Sequence, residues 1–380
     1  MTLTLKNAKI VLENEIIENG VLIIENGRIK NFGNAVTIPE NSKVFDVKGL
    51  YVGPGFVDIH CHGGNGFQFD KEPVGAADYF LKSGTTTILP TFYTDMNADE
   101  YINAIDRVIN AVKDGKVKNI GGFYMEGPYT NEKYGASPEK NRWRGEIKAS
   151  DYARIVERAG THAKVWVIAP ERKGIETFIK NVKSVNPDVT ISVGHSEATP
   201  AQIAKYKKYG LILQTHCTNA TGRVPAMSGT RSCGPDEACF LDDDMYAEVI
   251  CDSKGIHVSP DMLKLILKIK GKDKLILISD SFASGEKSPP ELAHITDLNF
   301  GASGELCGSN LTLNVACRNM VNHTGVSVND VFLMASRNPA RVIGEEREIG
   351  TIEKGKRANL VLVDSNFAIK NVLLDGEFVC

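Results

Sequence analysis

Phe56-Val-Asp-Ile-His-Cys-His62 is an apolar run that ends in two histidines one residue apart. Residues i and i+2 of a β-strand face the same side, so both imidazoles can reach one point. Alone the pattern is weak, because any two polar residues at a strand end look the same. Its weight comes from seven further apolar runs that also end in polar residues, namely Thr86-Thr-Ile-Leu-Pro-Thr, Gly122-Phe-Tyr-Met-Glu, Val165-Trp-Val-Ile-Ala-Pro-Glu, Ile191-Ser-Val-Gly-His, Leu211-Ile-Leu-Gln-Thr-His, Ala247-Glu-Val-Ile-Cys-Asp and Leu275-Ile-Leu-Ile-Ser-Asp. Eight strands suffice to close a parallel barrel. Stretches with helical periodicity fill most intervals, at residues 99–113, 151–159, 175–185, 201–209 and 262–270. Strand alternating with helix predicts a parallel sheet, and eight repeats predict a (β/α)8 TIM barrel.

The flanks read differently. Residues 1 to 50 alternate apolar and polar positions, as in Val21-Leu-Ile-Ile-Glu-Asn-Gly-Arg-Ile, and Glu-Asn-Gly at 18–20 and at 25–27 predicts tight turns between short strands. Arg357-Ala-Asn-Leu-Val-Leu-Val-Asp and Val372-Leu-Leu-Asp-Gly-Glu-Phe-Val repeat that alternation near the other end. Residues 1–52 and 345–380 are therefore expected to pair into a small β-sandwich, with the barrel at 53–344 and a junction at Gly53-Pro-Gly. The 380 residues accommodate a barrel of roughly 250 plus such a unit.

Hydrophobic residues at 42% and charged ones at 24% are ordinary for a folded globular chain. A net charge of -3 provides no basic field for nucleic acid or an anionic membrane, so a small-molecule partner is expected. The N-terminus lacks a signal-peptide pattern and no run of about 18 apolar residues occurs, which predicts a cytoplasmic protein. The eight cysteines contain no CxxC pair and do not resemble a disulfide framework. Cys61 and Cys217 adjoin candidate histidines, but strand neighbours point oppositely, so both are read as packing residues.

In parallel barrels the chemistry sits at the C-terminal strand ends, where the loops converge on one mouth. Glu126, His195, His216 and Asp280 each close a different strand, joining His60 and His62 there. Imidazoles with carboxylates suit Zn(II), Fe(II), Co(II) or Ni(II) better than Ca(II) or Mg(II), which prefer oxygen shells.

Gly53-Pro-Gly-Phe-Val-Asp-Ile-His-Cys-His-Gly-Gly, Met125-Glu-Gly-Pro-Tyr, Gly194-His-Ser-Glu-Ala-Thr, Thr215-His-Cys-Thr-Asn-Ala, Gly255-Ile-His-Val and Ile278-Ser-Asp occur in this order. Gly308-Ser-Asn-Leu-Thr-Leu, Asn338-Pro-Ala-Arg and Gly350-Thr-Ile-Glu-Lys-Gly-Lys-Arg-Ala-Asn-Leu-Val follow. Together they resemble the motif set of the N-acetylglucosamine-6-phosphate deacetylase family over nearly the whole chain. The resemblance implies Glu126, His195 and His216 as ligands of one divalent metal ion, with His60 and His62 serving a second that Glu126 bridges. One or two ions are implied, zinc first, with Fe, Co or Ni as alternatives. Asp280 is implied as general acid/base. Asn219, the backbone of Ala220 and His257 are implied as phosphate contacts, with Arg223 supplied across a homodimer interface. The substrate implied is an N-acetyl amino sugar 6-phosphate, the glucosamine form before the galactosamine form or another N-acyl sugar. A cyclic-amide hydrolase would bridge its metals with a carboxylated lysine, and no lysine ends the third or fourth strand. A non-catalytic scaffold would have lost ligands, and every position is filled.

The chain also departs from the pattern. Ser137, in Gly135-Ala-Ser, stands where the family carries a histidine that helps polarise the scissile carbonyl. Either the metals carry more of that load or the substrate differs. Arg142-Trp-Arg144 is read as an anion contact or, more ordinarily, a solvated basic loop. Residues 222–240 and 251–257 depart in substrate-contacting loops, and His162, His294 and His323 match no motif.

Overall fold

The computed structural model describes residues 2–379. Its centre is eight parallel strands: β1 (Phe56–Cys61), β2 (Thr85–Tyr93), β3 (Phe123–Glu126), β4 (Ala163–Ile168), β5 (Thr190–Val193), β6 (Leu211–Gln214), β7 (Tyr246–Ile250) and β8 (Leu275–Ile278). Neighbours in sequence are neighbours in the sheet. The ring closes just past β8, where Asp280 N donates to His60 O at 2.9 Å and His62 N to Ser281 O at 2.9 Å. The expected TIM barrel is therefore present.

Both faces of each strand are buried, and residue parity decides which face a side chain serves. Phe123 and Met125 of β3, Trp166 and Ile168 of β4, and Ala247 and Val249 of β7 join the cluster that includes the apolar stripes of the surrounding helices. Tyr124, Val165, Val167 and Ile250 have the opposite parity and form a second cluster. Glu126 and Glu248 share that second parity, which turns both carboxylates into the barrel interior. From the helix side, Phe178 of Ile175–Val185 is fully buried. Burying such a side chain contributes roughly 1.5–3 kcal/mol.

The predicted helices at 99–113, 151–159, 175–185 and 262–270 are found at Ala98–Lys113, Ala149–Ala159, Ile175–Val185 and Pro260–Lys270. Asn97 and Glu100 cap the first reciprocally, at 3.0 and 2.7 Å. The expected helix at 201–209 breaks into Pro200–Ala204 and a 3-10 turn, Lys207–Tyr209. Gly210 stops the chain at φ 79°, one residue before β6 must start.

The termini form a separate eight-stranded sheet. Leu360–Val363 lies antiparallel to Tyr51–Pro54, which runs parallel to Thr2–Val11, so the two chain ends are hydrogen-bonded through the strand that leads into the barrel. Thr2–Val11 then pairs with Ile16–Glu25, and that strand with Arg28–Gly33. Asn26 (φ 52°) and Gly27 (φ 77°) form the expected hairpin turn. The other Glu-Asn-Gly is not a turn. Asn19 (φ 53°) and Gly20 lie inside Ile16–Glu25, where the register slips opposite Ala8. Gly20 is needed there because a Cβ would lie 2.6 Å from the Ile10 side chain. Among the described residues no helix is long and apolar enough to cross a membrane.

Candidate metal centre

Glu126 ends β3 and reaches the barrel axis, where histidines from three other segments surround it. Its Oε1 lies 2.7 Å from His195 Nε2 and 3.1 Å from His216 Nε2; its Oε2 lies 3.1 Å from His62 Nε2 and 3.3 Å from His60 Nε2. Asp280 Oδ1 is 3.4 Å from His62 Nε2 and 3.5 Å from His60 Nε2. Two sets of potential ligand atoms result, Glu126–His195–His216 and His60–His62–Asp280, each within 4.8 Å internally. Four of the eight histidines thus meet at one barrel end.

The backbone is bent to achieve this. His195 (φ 46°), His216 (φ 31°) and Asp280 (φ 46°) each sit two residues beyond a strand in the left-handed region, which costs of order 1–3 kcal/mol for such residues. Each carbonyl is clamped by a backbone amide: Asn131 N to His195 O at 2.8 Å, Asn219 N to His216 O at 2.6 Å, and Ser309 N to Asp280 O at 2.8 Å. Such strain persists where surrounding structure over-determines it, and it turns three side chains onto one point.

Burial alone would raise the Glu126 carboxyl, but the charge of His60 and hydrogen bonds with His195 and His216 hold it well below the ordinary carboxylate range. Asp280 is likewise pushed up by burial and pulled lower by His60 and His62. His62 is depressed by burial, yet Asp280 and Glu126 lift it to about 9. The centre therefore keeps two ionised carboxylates among imidazoles. His60 Nε2 is fully buried and accepts no hydrogen bond. That donor set, with an unpartnered imidazole nitrogen at its middle, fits a divalent cation of the zinc type.

A cavity of about 560 Å³ opens over the centre, and His62, Glu126, His195, His216 and Asp280 line it. Asn219, Ala220, His257 and Ser137 also line it, whereas Arg223 does not. Arg223 instead lies 3.5 Å from Glu237 in its own chain. The Asn219 amide nitrogen is buried without a partner. His257 faces Asp252 Oδ2 at 3.0 Å through Nδ1 and Gly308 O at 3.1 Å through Nε2. Ser137 Oγ reaches Glu305 Oε1 at 3.4 Å. In the basic run 142–144, Trp143 is buried and donates to Met96 O at 2.7 Å, while the exposed Arg142 and Arg144 donate to Asp95 O and Pro138 O. Cys61 and Cys217 are buried free thiols outside both ligand sets, as packing residues should be.

The model of the Amidohydrolase family matches residues 51–379. Across 397 aligned residues the chain is 30% identical to the N-acetylglucosamine-6-phosphate deacetylase of Haemophilus influenzae, covering 100% of this chain and 99% of that protein. The chain belongs to the N-acetylglucosamine-6-phosphate deacetylase family. It is also 29% identical to the N-acetylgalactosamine-6-phosphate deacetylase of Escherichia coli O157:H7, over 85% of this chain and 86% of that one. The crystal structure of the N-acetylglucosamine-6-phosphate deacetylase from Pasteurella multocida superposes with a TM-score of 0.87 at 26% identity, covering 100% and 99% of the two chains. The family places a metal-dependent deacetylase on this barrel, with the β domain built from both termini.

Two residues of this deacetylase belong to none of the sequence motifs yet touch the centre. Glu248 lies fully buried beneath His60, and Tyr124 stacks on the His60 ring at 4.4 Å between centroids. The sequence does carry a signal for Glu248: a charge within Ala247-Glu-Val-Ile, at the parity that faces the barrel interior.

Proposed function

We propose that this chain hydrolyses the acetamide of an N-acetyl amino sugar 6-phosphate, N-acetylglucosamine-6-phosphate first, to the free amine and acetate. The supporting observation is the meeting of Glu126, His195, His216, His62 and Asp280 at one cavity, with His60 buried behind them, in a chain that matches this family end to end. Glu126, His195 and His216 would hold one ion, and His60 and His62, together with Glu126, would hold a second. Zinc is the first candidate, and Fe, Co or Ni suit the same donors. When bound, such an ion supplies Lewis acidity to the carbonyl and makes water acidic near neutral pH.

The chain's own groups do the rest. Ionised Asp280 takes the proton of the attacking water as the C–O bond forms, then delivers it to nitrogen as the C–N bond breaks. Ser137 offers a hydroxyl to the carbonyl side of the cavity in place of the family's imidazole. Asn219, with its free amide donor, the Ala220 backbone and His257 are the phosphate contacts. Arg223, absent from its own cavity, reaches the partner's in a homodimer. A cytoplasmic setting accords with the seven described cysteines, all free thiols.

The test is acetate release from the 6-phosphates of N-acetylglucosamine and N-acetylgalactosamine and from the two unphosphorylated sugars. N-acetylglucosamine-6-phosphate should be the best substrate. A preference for an unphosphorylated sugar overturns the phosphate reading, and equal or better use of the galactosamine form moves the assignment to that epimer. Arg223→Ala should lower kcat/KM about tenfold or more on the phosphorylated sugar, since a hydrogen bond to a charged group contributes about 1.5–3 kcal/mol. Its effect on the unphosphorylated sugar should be much smaller. Equal losses on both would leave Arg223 as a loop anchor for Glu237.

A further inference from the structure

Beneath the centre, one oxygen of Glu248 collects three donors. Glu248 Oε2 lies 3.2 Å from His60 Nδ1, 3.2 Å from the backbone N of His216, and 3.2 Å from the Tyr124 hydroxyl. The side chain is fully buried, and its other oxygen has no partner. A carboxylate withdrawn from water at this depth is costly unless its donors compensate it. The geometry assigns Glu248 as a positioning residue that ties the two ligand sets together. Through Nδ1 it holds His60 as the tautomer whose Nε2 lone pair faces Glu126 and Asp280. Through the amide of His216 it anchors the strained turn that presents the other set. Tyr124 completes the cradle by stacking on His60 and donating to the same oxygen.

This inference rests on the centre's being a metal site, and the readouts separate the two. Zinc affinity is measured by competition with a chelator, and the imidazole N–H signals are recorded on zinc-loaded protein labelled with 15N-histidine. If the wild-type chain fails to bind zinc, the metal reading itself is wrong. Where it binds, Glu248→Ala should weaken zinc about 10–100-fold, the range for partners that orient metal ligands. The same variant should lose the slowly exchanging Nδ1–H signal of His60. Glu248→Gln retains an acceptor oxygen and should restore that signal and most of the affinity. Ser192→Ala disturbs the same buried layer through Thr215 without touching Glu248, and should bind zinc within about threefold of wild type. Wild-type affinity with an intact His60 signal in Glu248→Ala would overturn the assignment. So would a loss in Ser192→Ala as large as that of Glu248→Ala.

Discussion

Removing His195 or His216 should strip the protein of most of its bound metal and most of its activity. Each imidazole nitrogen lies within 3.1 Å of the Glu126 oxygen they share, so removing either leaves that ligand set one donor short. A lost ligand breaks the coordination itself, and its effect should exceed the roughly 10–100-fold cost of losing an outer partner. His195→Ala could also act by relaxing the left-handed backbone. His195→Asn controls for this, because asparagine tolerates positive φ. Both variants, and His216→Ala, should show low metal content by elemental analysis while remaining folded by circular dichroism. Full metal content in all three would contradict the ligand assignment.

Asp280→Asn should lower kcat by at least about a hundredfold, since general acid/base groups contribute 10² to 10⁴. The amide cannot accept the proton of the attacking water. KM should change much less, because the proposed work is proton transfer more than binding. Asp280 Oδ1 also lies within 3.5 Å of His60 and His62, so metal content must be measured on the same sample. Near-normal turnover with full metal would assign the proton transfer to another group.

The barrel is legible in the sequence because each strand carries its own burial signature. β-branched runs ending in polar residues recur eight times, and parity along β3 and β7 then fixes which side chains point inward. Strand ends also mark Glu126, His195, His216 and Asp280, since loop-facing histidines and carboxylates have little packing role. Local signals fail where tertiary context decides. Asn19-Gly20 reads as a turn, yet Ile10 packing over Gly20 makes it a slip within a strand. Trp143 sits between two arginines but fills a gap beside Tyr101 and Tyr129, which no local pattern reveals. Glu248 lies within its strand, away from the strand end, and its partners are brought to it by β1, β3 and the turn after β6. Arg223 lies outside its own cavity and pairs with Glu237 of the same chain, so its phosphate role has no signature within one chain.

The most direct measurement of the whole account is acetate release from N-acetylglucosamine-6-phosphate by protein stripped with a chelator and then titrated with zinc. The stripped protein should be inactive, and activity should return in proportion to the metal bound, reaching its limit at one or two ions per chain. Full activity in verified metal-free protein, or none at any zinc loading while the sugar phosphate still binds, would contradict metal-dependent deacetylation at this centre.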